Sequence, residues 1–240
     1  MMFNINRVIK YNKKVSKNSG LTMIELMVVI SIFLGISSTA IFNYGGFSSN
    51  VSLQNLTDDI ALSIRKAQSF AIGARAVGDT FNNSYGMHFS VNPSPLYPSI
   101  DSSERSFLMF SVPITTPEKK FYTLKELSSC GDKSANNQCL EFFNIMTIDK
   151  IKKINAIKNS SVTTIIDSST PNRSLDIVFT RPDPRAYICY RDNSNPSTNC
   201  ESYSSVEIII SNGETEVDKE KLKMISVQNT GQISIQNYEE

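Results

Sequence analysis

With a single histidine among its 240 residues, the sequence offers few side chains for general base catalysis. It also lacks a G-x-S-x-G elbow, a phosphate-binding loop, a dinucleotide-binding glycine pattern and an H-E-x-x-H helix. Carboxylates are plentiful but not clustered. An enzyme is therefore not expected, and neither is a cofactor or a metal. The histidine, His88, lies in an alternating segment and is expected to be a packed or rim residue.

Acidic residues are absent from the first 20 positions, and charged residues are almost absent from the next 21. Between Leu21 and Ile41 only Glu25 is charged, and a helix of this length is enough to cross a hydrocarbon layer of about 30 Å. The preceding residues include Arg7, Lys10, Lys13, Lys14 and Lys17. The positive-inside rule therefore predicts a single-pass protein of the inner (cytoplasmic) membrane, with its N-terminus in the cytoplasm and its head outside.

A secretory signal peptide would place a small-residue cleavage site after the apolar core, with no acid inside that core. Here the small residue, Gly20, precedes the apolar run, and an acid follows five positions later. This order resembles the leader of type IV prepilins. The resemblance implies that a prepilin peptidase cuts after Gly20, that Leu21 becomes the N-methylated first residue, and that Glu25 is the fifth. The family commonly has Phe at the position of Leu21.

A carboxylate at membrane depth costs about 2.5–3.5 kcal/mol on insertion scales, so Glu25 is expected to have a partner or a route to water. Cleavage after Gly20 would free the α-amino group of Leu21 one helical turn away, largely cationic at neutral pH. Glu25 could pair with this amine within one chain or between chains. The resemblance implies pairing between chains, which would set the register of stacked helices. In the simplest alternative, Glu25 only reaches the membrane interface.

The chain is predicted to contain a removed leader at 1–20, a transmembrane and polymerisation helix at 21–42, a second helical part at 43–78 and a β-rich head at 79–240. The glycine pair within Asn43–Asn50 predicts a hinge or a break in the helix. Apolar residues then recur at helical spacing, which predicts an amphipathic helix that ends near Gly73 or Gly78. The predicted buried stripe is Leu53, Leu56, Ile60, Ile64, Ala67 and Ala71.

Short β-rich segments separated by turn residues follow, and they predict antiparallel strands because no second long helix supplies crossovers. The predicted strands are 85–91, 106–112, 121–124, 161–166, 175–180, 187–190, 206–211, 222–227 and 233–235. Ile148, Ile151 and Ile154 recur every third residue, which fits either a helical turn or an irregular strand. Asp176 and the Arg181–Arg185 turn are interpreted as strand-end and loop residues.

Three segments of the chain resemble minor pilins and pseudopilins of the GspH/FimT group. They are the helix from Leu53 to Arg75, a following strand with Gly86 and the closing segment from Ile225 to Ile235. This resemblance implies an α+β pilin-like fold in which the long helix packs on an antiparallel β-sandwich head. It also implies a structural subunit of a type IV pilus or type II secretion filament, joined to other pilins or pseudopilins through its N-terminal helix. Thr116–Pro171 is expected to be an insertion.

Some relatives in this group bind DNA during uptake through basic residues near the C-terminus, which makes a DNA-binding minor pilin the alternative. Removing the leader takes five of the 24 basic residues and none of the 23 acidic ones, which leaves 19 against 23 and a net charge of −4. The C-terminal segment offers Gln232 and an acidic tail that ends at Glu240. The charge therefore argues against nucleic acid as a partner, and DNA binding stays the alternative function.

The four cysteines form two local pairs, Cys130 with Cys139 and Cys189 with Cys200, each around a polar loop. An exported head would meet oxidising conditions, which favours disulfides. Four cysteines allow three connectivities, and we favour the sequential one. A structural zinc site fits less well, because its cysteine pairs are usually two to four residues apart.

Overall fold

The computed structural model describes the N-terminal helix and most of the head. The described residues are 20–76, 81–91, 103–113, 122, 130, 138–170, 173–192, 195–199, 203–214 and 220–238. The chain divides into two compact units, Met1–Gly45 and Gly46–Glu240. The predicted strand at 121–124 lies outside the described residues except for Tyr122.

Helix α1 runs from Met23 to Ile72, which places its end where the sequence predicts it. The predicted break within Asn43–Asn50 is wrong, because the helix continues through all eight residues. Glycine lowers helix propensity by about 1 kcal/mol, a cost that the neighbouring turns of a long helix can offset. The boundary between the two units nevertheless falls at this glycine pair, between Gly45 and Gly46.

The described residues after the helix contain eleven strands, and every pair between them is antiparallel, as predicted. They are β1 (Asn83–Phe89), β2 (Ser106–Pro113), β3 (Cys139–Asn144), β4 (Lys150–Lys158), β5 (Ser161–Asp167), β6 (Arg173–Thr180), β7 (Asp183–Asp192), β8 (Asn195–Asn199), β9 (Ser205–Ser211), β10 (Leu222–Gln228) and β11 (Ile233–Tyr238). A six-stranded sheet has the order β3-β2-β1-β6-β7-β8, and a five-stranded sheet has the order β11-β10-β9-β4-β5. The fold class is therefore α+β.

Strands β3 and β8 were not predicted, and β4 corresponds to the irregular strand that the sequence left open as one of two alternatives. β4 contains Ile151 and Ile154 of the isoleucines at every third residue, while Ile148 lies before the strand. It is an interior strand whose register shifts against β9 after Ile151 and against β5 after Ile154. The first shift adds Lys152 to β4 and breaks its two-residue alternation, which is why the strand signal is weak, whereas the second adds Ile165 to β5. The region around β3–β5, expected to be an insertion, supplies one edge of the first sheet and two strands of the second.

One apolar core joins the second half of α1 to both sheets. All six predicted stripe residues of the helix are buried in it, which confirms the amphipathic prediction. Ile60 and Ile64 are fully buried, and inward-facing residues such as Ile177 of the six-stranded sheet and Ile208 of the five-stranded sheet share their cluster. Alternate residues of β1, β6 and β9 belong to this core, as expected for antiparallel sheets packed on a helix.

Candidate functional site: the N-terminal half of helix α1

The first turn of α1 is closed by a reciprocal cap between Thr22 and Glu25. The Glu25 backbone N–H donates to Thr22 Oγ1 at 3.3 Å, and the Thr22 backbone N–H and hydroxyl both donate to Glu25 Oε2 at 3.2 Å. This arrangement is a capping box, which satisfies N–H groups that the helix itself leaves unpaired. Glu25 therefore has a structural role that our sequence reasoning missed, although the T-x-x-E signal before an apolar run was present.

The helix that follows is apolar on all sides and exposed on all sides. Met23–Ile41 is long and apolar enough to cross a membrane, judged by length and composition, and no part of it is buried in the chain. Two of its hydroxyl side chains bond to the helix itself: Ser31 Oγ donates to the Met27 carbonyl, and Thr39 Oγ1 to the Ile36 carbonyl, both at 2.8 Å. A bilayer demands this local satisfaction, because its core has no water to bind them.

Gly20 and Leu21 lie just before the helix and are exposed. A Cβ atom built at Gly20 would meet no atom within 4 Å, so packing against the described residues does not require glycine there. Leu21 is 72% exposed. The described residues therefore give no structural explanation for glycine at position 20.

His88 and Asp176 form a buried pair on the opposite face of the six-stranded sheet. His88 Nδ1 lies 2.6 Å from Asp176 Oδ1, and both side chains are at most 2% exposed. Asp176 Oδ2 accepts from the Tyr122 backbone N–H at 3.0 Å and lies 3.6 Å from Arg191 Nη2. Arg191 in turn donates to the Tyr122 carbonyl. His88 is thus a packed residue, one of the two outcomes expected for it.

The interpretation of Asp176 as a strand-end residue is wrong. Asp176 lies in the interior of β6, beside His88 of β1. A small apolar cluster surrounds the pair and includes Phe110, Tyr122 and Val178. Because a buried charge is retained at low cost only when it is paired, this network explains how an aspartate is tolerated inside a sheet. Because His88 and Asp176 are buried from solvent, we interpret this network as structural.

The cysteines are partly described. Cys130 is bonded to Cys139, the first residue of β3, as predicted. Cys189, in β7, is also disulfide-bonded. Cys200 lies outside the described residues. No group of three or more His, Cys, Asp or Glu side chains in the described part of the chain could hold a metal ion.

Only Arg181 and Pro182 connect β6 to β7, because Asp183–Arg185, interpreted from the sequence as part of the turn, already belong to β7. The charged side chains of Asp183 and Arg185 interact locally. Arg185 donates from its backbone N–H to Asp183 Oδ1 at 3.0 Å and from Nε to Oδ2 at 2.5 Å. The backbone bond first and the side-chain bond second hold the pKa of Asp183 below its ordinary value. The side-chain hydrogen bond to Asp183 raises the pKa of Arg185. The pair is exposed, so its effect on stability is small.

Comparisons with known proteins give no further guide to the site. No protein-family model matches the chain, and neither a curated protein nor a solved structure does so. The functional argument therefore rests on the geometry of the chain itself.

Proposed function

We propose that this protein is a membrane-anchored structural subunit of a type IV pilus or type II secretion-like filament, a minor pilin or pseudopilin. A prepilin peptidase cuts it after Gly20, Leu21 becomes the N-methylated first residue, and the subunit assembles through the N-terminal half of α1. The head stays outside the membrane. The observation that carries the proposal is the Met23–Ile41 segment, whose apolar surface is wholly exposed in this chain.

An exposed apolar surface of this length needs an apolar environment from outside the chain. Before assembly, the bilayer supplies it. After assembly, the same segment of neighbouring subunits supplies it, which allows one helix to serve both states. The second half of α1 needs no such environment, because its apolar stripe is already buried in the head.

Glu25 then has two successive partners. In the unassembled chain the Thr22 cap holds the carboxylate, which reduces the cost of placing it at the edge of the membrane. After cleavage, a Leu21 amine of the same or a neighbouring chain becomes available. Pairing between chains would align stacked helices, whereas the cap alone would not.

The cleavage step is tested with Gly20→Arg, using Gly20→Ala as the matched control. A bulky cation at the cut site should leave the leader attached, so the protein should run about 20 residues heavier than wild type. Alanine should allow at least partial cleavage, because the structure leaves open space for a Cβ atom at Gly20. N-terminal sequencing that finds Leu21 first in the Gly20→Arg protein would contradict the assignment.

The role of Glu25 is tested with two variants that separate its cap from its charge. Glu25→Gln keeps a side chain that can complete a capping box but removes the charge, while Thr22→Ala keeps the carboxylate and removes the hydroxyl. Both should be cleaved and remain in the membrane. Only Glu25→Gln should be depleted from sheared filaments. Equal recruitment of the two variants would refute the pairing role.

No feature of the described residues specifically favours the DNA-binding alternative. Among the basic side chains of the second sheet, Lys152 pairs with Glu220 at 2.8 Å and Lys223 donates to Asn237 at 3.3 Å. A gel-shift assay with duplex DNA at about 150 mM salt tests it directly. Sub-micromolar, salt-sensitive binding would favour DNA uptake over a purely structural role.

A further inference from the structure

A groove of about 500 Å³ lies beside the edge strand β3, within the Gly46–Glu240 unit. We name it the α1–β3 groove. The helix contributes Leu56 and Leu62, and the sheet side contributes Phe143 and Met146. Leu62 is 58% exposed and Met146 is 89% exposed, so the mouth of the groove presents apolar surface to solvent. Such a surface is typical of a binding site.

The outer edge of β3 has no strand partner among the described residues, because β3 is the first strand of the six-stranded sheet. The Ile145 N–H donates to the Arg105 carbonyl at 2.8 Å, which fixes the alternation between the strands. The backbone N–H and C=O groups of residues an even number of positions from Ile145, such as Phe143, therefore point toward β2. The N–H and C=O groups of Phe142 and Asn144 face the open edge.

The groove has a small net negative charge. Lys66 pairs with Glu141 of β3 at 2.5 Å, so these two charges offset each other. Asp59 also lines the groove, is exposed, and has no ion-pair partner among the described residues. One uncompensated carboxylate at the rim favours a basic residue in whatever binds there.

The far end of the groove is fixed by a buried carboxylate. Asp149 is fully buried, and its Oδ2 accepts from Thr147 Oγ1 at 2.6 Å and from the hydroxyl of Ser52 on the helix. Both donors line the groove. These bonds tie the segment after β3 to α1, so the groove is formed before anything binds. A preformed site spends less of its binding free energy on ordering.

From these features we propose that the α1–β3 groove binds an extended segment of a partner protein. The segment adds a strand to the open edge of β3, places one apolar side chain between Leu62 and Phe143, and directs a basic side chain, two positions from the apolar one, toward Asp59. Alternate side chains of a strand face the same side, which is why a two-residue spacing fits. This inference does not depend on the proposed filament role.

The test uses full-length protein in detergent and labelled eight-residue peptides with capped ends. The peptides carry Leu, Phe or Met as the apolar anchor in a Val/Thr background, with Lys two positions before or after it. Fluorescence anisotropy should find at least one peptide with a Kd below about 1 mM. Exchanging its Lys for Glu should weaken binding about fivefold, and Asp59→Lys should reverse that preference.

Backbone pairing is tested with Asn144→Pro, which removes an outward N–H, against Asn144→Ala, which keeps it. Proline should weaken peptide binding at least tenfold, and alanine, which removes only the side chain and keeps the N–H, should weaken it less than threefold. As a check that needs no protein variant, the best peptide is N-methylated at its odd or at its even positions. Only one of the two methylated peptides should bind, because only alternate N–H groups face β3.

Three results would overturn the proposal. The first is that no peptide binds below about 1 mM. The second is that both methylated peptides bind as well as the parent peptide. The third is that the full-length chain self-associates and Asn144→Pro abolishes this, because a second copy of the chain would then be the occupant of the edge.

Discussion

The two halves of helix α1 use the same apolar residue types with opposite results. In the first half Ile30 is 48% exposed, and in the second half Ile60 is fully buried. The difference lies in the arrangement of polar residues. The first half has none that define a face, whereas the second half has polar positions such as Asp58, Asp59 and Arg65 opposite its stripe. A helix with a single apolar stripe can bury that stripe against the head of the same chain. A helix that is apolar on all sides needs an apolar environment from outside the chain.

This comparison separates two functions within one helix. The second half contributes to the free energy of folding of the head, and the first half contributes to membrane insertion and, as proposed, to assembly. Substitutions in one half should therefore leave the function of the other half intact. The predictions that follow test this separation.

The largest effect is expected from Ile60→Ala compared with Ile30→Ala. Ile60→Ala removes buried methyl groups from the core and leaves a cavity, which should lower the free energy of unfolding of the head by about 2–5 kcal/mol. Ile30→Ala should leave it unchanged. Chemical denaturation of both proteins in the same detergent, followed by tyrosine fluorescence, measures the difference. Similar losses in the two variants would show that the halves are not separate.

A matched pair of glycines gives the next effect. Gly231, in the turn between β10 and β11, has a φ of +88°, and a Cβ atom there would lie 2.2 Å from the Pro184 carbonyl oxygen and 2.6 Å from Gln68 Nε2. Gln68 donates to both the Pro184 and the Gly231 carbonyls at 3.0 Å, so the clash would disturb the contact between helix and turn. Gly231→Ala should cost the head about 1–3 kcal/mol.

Gly35 is the control, because a Cβ atom there would meet nothing within 4 Å. Gly35→Ala should leave the unfolding of the head unchanged and favour the helix locally. Thermal unfolding of the two variants is the measurement. A head that tolerates Gly231→Ala as well as Gly35→Ala would show that the turn does not hold the helix in place.

The predictions from sequence succeeded where one local pattern was sufficient. The helical spacing of residues such as Leu53 and Ile64 identified the buried stripe, and eight of the predicted strands overlap strands of the structure. β4 was left open because its register shift after Ile151 interrupts the alternation that marks a strand. The glycine pair at Gly45 and Gly46 was read as a break because local propensity was weighed without the stabilising effect of a 50-residue helix.

Features that join distant residues could not be predicted. The His88–Asp176 pair joins residues that are 88 positions apart, and only the pairing of β1 with β6 brings them together. The same holds for the α1–β3 groove, which combines a helix with an edge strand that had not been predicted. The Thr22–Glu25 cap is different, because its signal was local and was overlooked when the acid was interpreted only as an assembly residue.

That cap gives a smaller prediction, confined to the first half of the helix. Thr22→Ala removes the hydroxyl that accepts from the Glu25 N–H, which should destabilise the first turn by about 1 kcal/mol. Hydrogen exchange of the amides from Met23 to Met27 should be faster in Thr22→Ala than in Thr22→Ser, which keeps the hydroxyl. The free energy of unfolding of the head should be the same in both. A change in the head would contradict the separation of the two halves.

The smallest effect concerns the response of the head to acid. The bonds from the backbone and then the side chain of Arg185 lower the pKa of Asp183, so the ionised carboxylate stabilises the folded head at pH values above the ordinary pKa of 3.8. This contribution should decline below pH 3.8, as the pH falls toward the lowered folded-state pKa, because the proton then competes with Arg185. Arg185→Ala removes the side-chain bond and keeps the backbone bond, so the pKa of Asp183 should rise only part of the way toward 3.8. Carboxyl-carbon NMR titration of wild type and Arg185→Ala tests this. A pKa for Asp183 at or above 3.8 in wild-type protein would mean that the pair does not form in solution.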